Sequence, residues 1–267
     1  MLVLSYLFKH ELRLYFPRWF SPFFQIGITL STLIFYWYFS KSIVAAPGLG
    51  SEMPEGYFIY ILVGELSLLW PGVLLANSSR VLKQFYYKRA LENLIVLKNQ
   101  AATLLIKMSV TQVILQSFKY VIYFFAILIF SQTISVSSLI IFFIIQLVYV
   151  PLFLSLGLFA ACIVVMYGRG EKIIQMFVSA SYVLAGVYFP VKVFPGFVQN
   201  IFKHSPFNDL INLSRSTLSG ELNLIEVKWK LLSYLLLGFV LMFVSKKMFC
   251  YLITKCDRPI NHRPLIS

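Results

Sequence analysis

The sequence predicts an all-α integral membrane protein with six transmembrane helices, and three observations favour that class. The 267-residue chain is 59% hydrophobic, only 12% of its residues are charged, and its mean hydropathy is +0.81. Soluble domains are about 45–50% apolar and about 25% charged, so both departures point to a membrane. The apolar residues form long runs, not the alternating segments of about ten residues that a transmembrane β-barrel requires.

Each predicted span is a mostly apolar stretch near the 20-residue length that crosses a bilayer as a helix. The charge-free run from 120 to 168 has 49 residues and would be about 73 Å long as one helix, so we divide it at the polar cluster 131–138. The first span is too long for a signal-peptide core, which predicts an uncleaved anchor. The six spans are 19–40, 56–79, 108–130, 139–166, 173–191 and 231–245.

The positions of the basic residues predict the orientation of the chain. The formal net charge is +13, and the charges flank apolar runs, which favours membrane lipids over nucleic acid as the partner. With both termini in the cytoplasm, sixteen Lys and Arg residues lie in inner segments and five in outer ones. The positive-inside rule therefore predicts a single multi-pass domain, 1–267, with both termini cytoplasmic.

Residues 1–20 are expected to form an amphipathic helix on the cytoplasmic membrane surface. Phe8 and Leu12 recur at helical spacing on one face, whereas Lys9 and Arg13 share another. Such a helix either serves only as a surface anchor or has a further role beside the spans.

The largest predicted cytoplasmic segment is 80–107, which is too small to be a catalytic domain. The residue pattern in its core predicts a short helix with an apolar face and a charged face. A soluble partner protein can bind to such a helix. A solvated juxtamembrane turn is the alternative. The residues of interest are Arg89, Leu91, Glu92, Asn93, Leu94 and Ile95.

The predicted outer segment, 186–220, is broken by prolines and glycines yet remains apolar between them. Broken helices at membrane depth are tolerated where they pack against protein or line a wet cavity. We therefore expect re-entrant outer helices between spans five and six, capping the outer end of a pathway. The residues that define this outer gate are Phe189, Pro190, Pro195, Gly196, Pro206 and Arg215.

Two charges, Glu65 and Lys119, lie within predicted spans, where each costs about 2.5–3.5 kcal/mol at the bilayer centre. They pair with each other, line a pathway, or are satisfied by snorkelling and neighbouring helices; the sequence leaves these alternatives open. Aromatic side chains are a second set of pathway candidates because ring faces can contact sugars, although aromatics also anchor helices at membrane interfaces. They are Tyr36, Trp37, Trp70 and Tyr149.

The sequence lacks the common motifs of catalysis and nucleotide binding. It has no G-x-x-x-x-G-K-[ST] stretch, no H-E-x-x-H and no G-x-S-x-G. Its histidines and cysteines have no metal-ligand spacing, so we expect neither a metal site nor an enzyme.

Taken together, these segments resemble the membrane (permease) subunit of ABC-2-type exporters. The resemblance rests on the interfacial helix, the six spans, the Arg89-Ala90-Leu91-Glu92-Asn93-Leu94 segment and the G-V-Y-F-P, F-P-G-F, S-P-F, R and G pattern from Gly186 to Gly220. Arg89-Ala90 stands where the family commonly has Gly-Thr.

The resemblance implies a transport subunit in the bacterial cytoplasmic (inner) membrane. Two permease subunits, expected to be a homodimer, would dock on separate cytoplasmic ABC ATPase subunits, which hold ATP and Mg²⁺; this chain would carry no cofactor. The segment around Leu91 would couple ATPase closure to the spans, and an amphipathic or lipid-linked substrate would be exported. This includes glycolipids and polysaccharides as well as drug- or peptide-like molecules.

Two alternatives to an exporter come from other classes. An ion-gradient-driven secondary carrier would use Glu65 and Lys119 as its ion or proton groups. The second alternative is a membrane-embedded enzyme or a scaffold protein. The sequence shows no set of catalytic residues that would support the enzyme.

Overall fold

The computed structural model describes residues 20–45, 56–87, 100–130, 136–167, 170–203, 205–220 and 224–256. Within these ranges the regular structure is helical and contains no strand, which confirms the all-α prediction. The helices are α1 (Phe20–Val44), α2 (Tyr57–Tyr87), α3 (Ala101–Phe130), α4 (Val136–Tyr167), α5 (Glu171–Leu184), α6 (Gly196–Phe202), α7 (Pro206–Ser219) and α8 (Leu224–Cys256), with a 3₁₀ turn at Val191–Val193.

Four helices of the described chain are long and apolar enough to cross a membrane, which confirms the multi-pass character. Their apolar stretches are Tyr57–Phe85, Ala101–Phe130, Ser137–Tyr167 and Val227–Lys255. The division of the charge-free run is also confirmed, because α3 ends at Phe130 and α4 begins at Val136.

The segments predicted as spans one and five are helical but are not among those four. Helix α1 has 25 residues and covers the first predicted span. Helix α5 has 14 residues, which is about 21 Å of helix. It ends at Leu184 because the chain turns at Gly186, where φ is +90°, a conformation that glycine adopts without steric cost. The six-span count stays a prediction.

Helix α2 is the centre of the bundle. It packs against α1, α3, α4, α5 and α7, and 67% of its most apolar window is buried, compared with 22% for α8. Helix α8 lies on the outside of α4. Most side chains of α2 therefore face protein, whereas much of α8 is free to face lipid.

Two glycines allow close backbone contact within this bundle. Gly157 of α4 lies against the Leu74 carbonyl of α2, and a Cβ at Gly157 would overlap that oxygen. Gly238 of α8 lies against α4, where a Cβ would be 2.7 Å from the Leu152 nitrogen. Small residues at such contacts are typical of packed membrane helices, because dispersion attraction depends on close approach.

Candidate functional site

A cavity of about 710 Å³ lies between α2, α3 and α5, within the range of small-molecule pockets. Polar and charged side chains line it along its length although the three helices are mostly apolar. From α2 and α3 these are Glu65, Asn77, Arg80, Gln112, Gln116 and Lys119. Helix α5 adds Gln175, Ser179 and Tyr182, and Tyr188 of the outer segment closes one end.

The residues that line the cavity recur along each helix at helical spacing. Gln112, Gln116 and Lys119 are spaced i, i+4 and i+7, so they share one face of α3. On α2, Glu65 and Arg80 are 15 residues apart, which places them about 22 Å from each other along the helix axis. The cavity is thus elongated along α2, with Glu65 nearest the outer segment and Arg80 nearest the end of α2 that leads to residue 88.

Glu65 and Lys119, the two charges predicted within spans, face this cavity together. Their side chains interact electrostatically, and the Tyr188 hydroxyl donates a hydrogen bond to Glu65 Oε2 at 3.3 Å. The hydroxyls of Tyr188 and Tyr36 are 3.4 Å apart. The hydrogen bond from Tyr188 lowers the cost of burying the carboxylate, and the positive charge of Lys119 acts in the same direction without forming an ion pair.

The other predicted aromatic residues pack in the bundle and do not line the cavity. Trp37 lies against the rings of Phe58 and Phe130, with centroids 5.0 and 4.9 Å away. Trp70 packs on Tyr120 at 4.9 Å. Tyr149 is fully buried and packs on Tyr234, also at 4.9 Å.

Arg215 of α7 holds the outer segment against the end of α2. Its Nη2 donates to the carbonyls of Gly186 at 2.9 Å, Tyr60 at 3.1 Å and Val187 at 3.3 Å. The guanidinium carbon lies 3.4 Å from the centre of the Tyr60 ring, which adds a cation–π contact. Burial lowers the pKa of Arg215 to about 10, so the group stays charged at neutral pH.

Tyrosines of α2 reinforce the same contact. The Tyr57 hydroxyl donates to the Tyr188 carbonyl, and the Tyr60 hydroxyl donates to the Gly186 carbonyl at 3.3 Å. These carbonyl groups lie beyond the end of α5 and do not accept hydrogen bonds within that helix. Side chains of α2 and α7 supply the missing donors.

The remaining residues of the predicted outer gate define short helical pieces. Pro190 and Pro195 immediately precede the 3₁₀ turn and α6, Gly196 begins α6, and Pro206 begins α7. Proline suits the first position of α7 because its φ is already helical and its missing N–H is not needed there. Pro190 and Pro195 are N-cap residues with ψ of 137° and 147°, an extended conformation that proline also adopts. Phe189 contacts Phe39 of α1, with ring centroids 6.4 Å apart. Re-entry of these pieces into the membrane stays a prediction.

Two predicted groups lie outside the described residues. They are the interfacial residues Phe8, Lys9, Leu12 and Arg13, and the coupling residues Arg89, Leu91, Glu92, Asn93, Leu94 and Ile95. Within the described ranges, no cluster of three His, Cys, Asp or Glu side chains is arranged to hold a metal ion.

Sequence reasoning missed Arg80 and the amides of the cavity. The predicted span ends at residue 79 because Arg80 is charged, and Gln112 and Gln116 lie within the predicted third span. The available signal was the i, i+4, i+7 polar stripe on α3, which is unusual in a helix this apolar.

The helices and the cavity define a multi-pass helical membrane protein with a polar, elongated cavity beside its central helix. No protein-family model matches this sequence, and no curated protein matches it either.

Tyr182 crosses from α5 to α2, where its hydroxyl donates to the Leu68 carbonyl at 2.7 Å. We expect Tyr182→Phe to lower the free energy of unfolding by about 1 kcal/mol, the usual net contribution of one hydrogen bond. Thermal unfolding of the purified protein in detergent measures the effect. Tyr38→Phe is the matched control because Tyr38 is 66% exposed; equal melting temperatures for both variants would contradict the expectation.

Proposed function

We propose that this chain is the membrane-spanning permease subunit of an ATP-driven exporter of the ABC-2 type. It spans the bacterial cytoplasmic membrane six times with both termini inside, and it moves an amphipathic or lipid-linked substrate outward. The observation that carries the proposal is the outer segment from Gly186 to Gly220. Its proline- and glycine-delimited helices cap the end of α2 beside a polar cavity.

Helix α2 connects the three parts that an exporter must coordinate. It ends at Tyr87, directly before the predicted coupling residues Arg89 to Ile95, it forms one wall of the cavity, and its outer end carries the Arg215 contact. In the proposed mechanism, a displacement of the coupling segment would pass along α2, which contains Pro71, to the cavity and the outer gate.

Helix α5 moves with α2 in this mechanism. Lys83 of α2 forms an ion pair with Glu171 at the start of α5, and Tyr182 binds the α2 backbone further along. The two walls are thus joined near both ends of α5. Closure of an ATPase pair on the coupling segments would move both walls against α3 and change the access to the cavity.

The proposed complex contains two copies of this chain and two ATPase subunits, which bind ATP and Mg²⁺. The permease itself supplies the pathway and carries no phosphate-binding loop. Apolar residues of α5 exposed in the single chain include Ile173, Met176 and Phe177; lipid or the second copy covers them.

Co-expression with candidate ATPase subunits tests the proposal. We expect an ATPase to co-purify through a tag on this chain alone, and its activity in nanodiscs to fall several-fold with Glu92→Arg. Lys192→Glu, a charge reversal on the exposed 3₁₀ turn of the outer segment, is the control and should leave coupling unchanged. Purification with no ATPase bound, or an equal effect of the two reversals, would refute the permease assignment.

A secondary carrier remains the second candidate, and one observation favours it: Glu65 and Lys119 face the same polar cavity. An acid and a base in a wet cavity can exchange protons or bind ions. Transport driven by a proton or sodium gradient in vesicles depleted of ATP would establish the carrier, and indifference to every gradient would eliminate it.

A further inference from the structure

We infer that the cavity between α2, α3 and α5 binds the anionic head group, a phosphate or carboxylate, of an amphiphile, with Arg80 as its principal cation. The inference rests on the proposed function, because it names the chemical class that the permease would carry. It follows from the charge balance of the cavity, the geometry around Arg80 and the apolar wall beside the polar stripe.

The net charge of the side chains that line the cavity is positive. Two cations, Arg80 and Lys119, and one carboxylate, Glu65, line it. Glu65 already accepts a hydrogen bond from Tyr188 and interacts with Lys119. Arg80 is exposed and has no hydrogen bond or ion pair among the residues that the structure describes. A cavity with low-dielectric walls and one uncompensated cation concentrates anions.

Arg80 is suited to oxyanions by its shape. The guanidinium presents a planar fork of N–H donors that matches the oxygens of a phosphate or carboxylate. Asn77 lies one turn earlier on the same face of α2, and Gln175 lines the facing wall on α5. One N–H of Asn77 already donates to Ser109 and one of Gln175 to Glu171. The second N–H of each amide is the donor for an oxygen that a bidentate contact with Arg80 leaves unpaired.

The cavity also provides apolar surface for a tail. Leu69, Val73 and Val178 line it beside the polar stripe, and burial of an alkyl chain there is favourable. A cationic ligand would have only Glu65 for a partner, and Lys119 already faces that carboxylate. A small inorganic anion would leave the apolar wall unused, so an anionic amphiphile fits the lining best.

Binding of dodecyl phosphate to the purified chain in phosphatidylcholine nanodiscs tests the inference, with empty nanodiscs subtracted for partitioning. We expect Arg80→Gln to weaken binding about tenfold, the loss typical of one charge-assisted hydrogen bond. Glu65→Gln should change binding less than twofold, because Glu65 lies about 22 Å along α2 from Arg80 and cannot reach a head group bound there. Lys230→Gln, at an exposed cation of α8, is the control and should change nothing.

The reverse results would overturn the inference. These are equal binding by the wild type and Arg80→Gln, an effect of Glu65→Gln as large as that expected for Arg80→Gln, or a preference for dodecyltrimethylammonium over dodecyl phosphate. Inorganic phosphate should compete only at far higher concentration, and equal competition by it would remove the amphiphile from the inference.

Phosphatidylglycerol added to the nanodiscs separates the two sources of such a head group. Displacement of dodecyl phosphate identifies a bilayer lipid as the ligand, and retention identifies a cargo other than bulk lipid; both support the anionic site.

The assay contains neither ATPase nor ATP. If an ATPase co-purifies with the chain but dodecyl phosphate does not bind, this site alone is refuted. If dodecyl phosphate binds normally but no ATPase co-purifies, the permease assignment alone is refuted.

Discussion

Arg215→Met is expected to lower the free energy of unfolding by about 2–3 kcal/mol, because hydrogen bonds to charged groups contribute about that much. Methionine retains an apolar stem but removes the donors to the carbonyls of Tyr60, Gly186 and Val187. Replacing a buried ionic group can be harmless when its partners are removed with it. Here the carbonyls remain, and only Gly186 retains a side-chain donor, the Tyr60 hydroxyl at 3.3 Å.

Thermal unfolding in detergent, followed by size-exclusion chromatography, measures the effect. Arg215→Lys should fall between the wild type and the methionine variant, since one ammonium lacks the planar fork of the guanidinium. Lys192→Met removes an exposed cation from the same outer segment and should be nearly neutral. An Arg215→Met protein as stable as Lys192→Met would show that the contact does not hold the outer segment.

Gly157→Ala is expected to destabilise the protein by about 3 kcal/mol, the upper end of the cost of overpacking a tight core. The new Cβ would overlap the Leu74 carbonyl oxygen, which is backbone of the central helix and cannot rotate away. The helices α2 and α4 must therefore separate, and every side-chain contact between them weakens with distance. Gly238→Ala should act in the same direction, because its Cβ would lie 2.7 Å from the Leu152 nitrogen.

Gly27→Ala provides the matched control for these substitutions. Gly27 also lies within a long helix, α1, but a Cβ there would meet nothing within 4 Å. Alanine favours a helix over glycine by about 1 kcal/mol, so this variant should be neutral or slightly more stable. Chemical unfolding of the three alanine variants in the same detergent makes the comparison; equal effects at positions 27 and 157 would contradict the close packing of α2 and α4.

The fold class and the division of the chain into helices were predictable from local features. Composition alone indicates a membrane protein, and the length of the charge-free run predicts two helices, α3 and α4, because a single helix would exceed any bilayer. The prolines of the outer segment also predict its short pieces correctly. Each of these results depends on residues close together in the chain.

The candidate site was only partly predictable. Glu65 and Lys119 were identified because a charge within an apolar span is costly, yet the sequence left their partners open. Trp37, Trp70 and Tyr149 were predicted as pathway candidates; the structure packs them against other rings, and they are not among the residues that line the cavity. Arg80 was assigned to a loop because a charge ended the apolar run, although α2 continues to Tyr87.

The sequence by itself therefore determined that the chain is helical and apolar enough to cross a membrane several times, that its long charge-free run forms two helices, and that the segment beyond residue 186 is divided into short pieces. The tertiary structure alone decided which helix faces meet: the cavity beside α2 that Glu65 and Lys119 both line, the hydrogen bond of Tyr188 to Glu65, and the contact of Arg215 with the outer segment. The reason is physical. Helices that are apolar on nearly every face carry little periodic signal for their orientation, so close packing and the pairing of a few polar groups fix it.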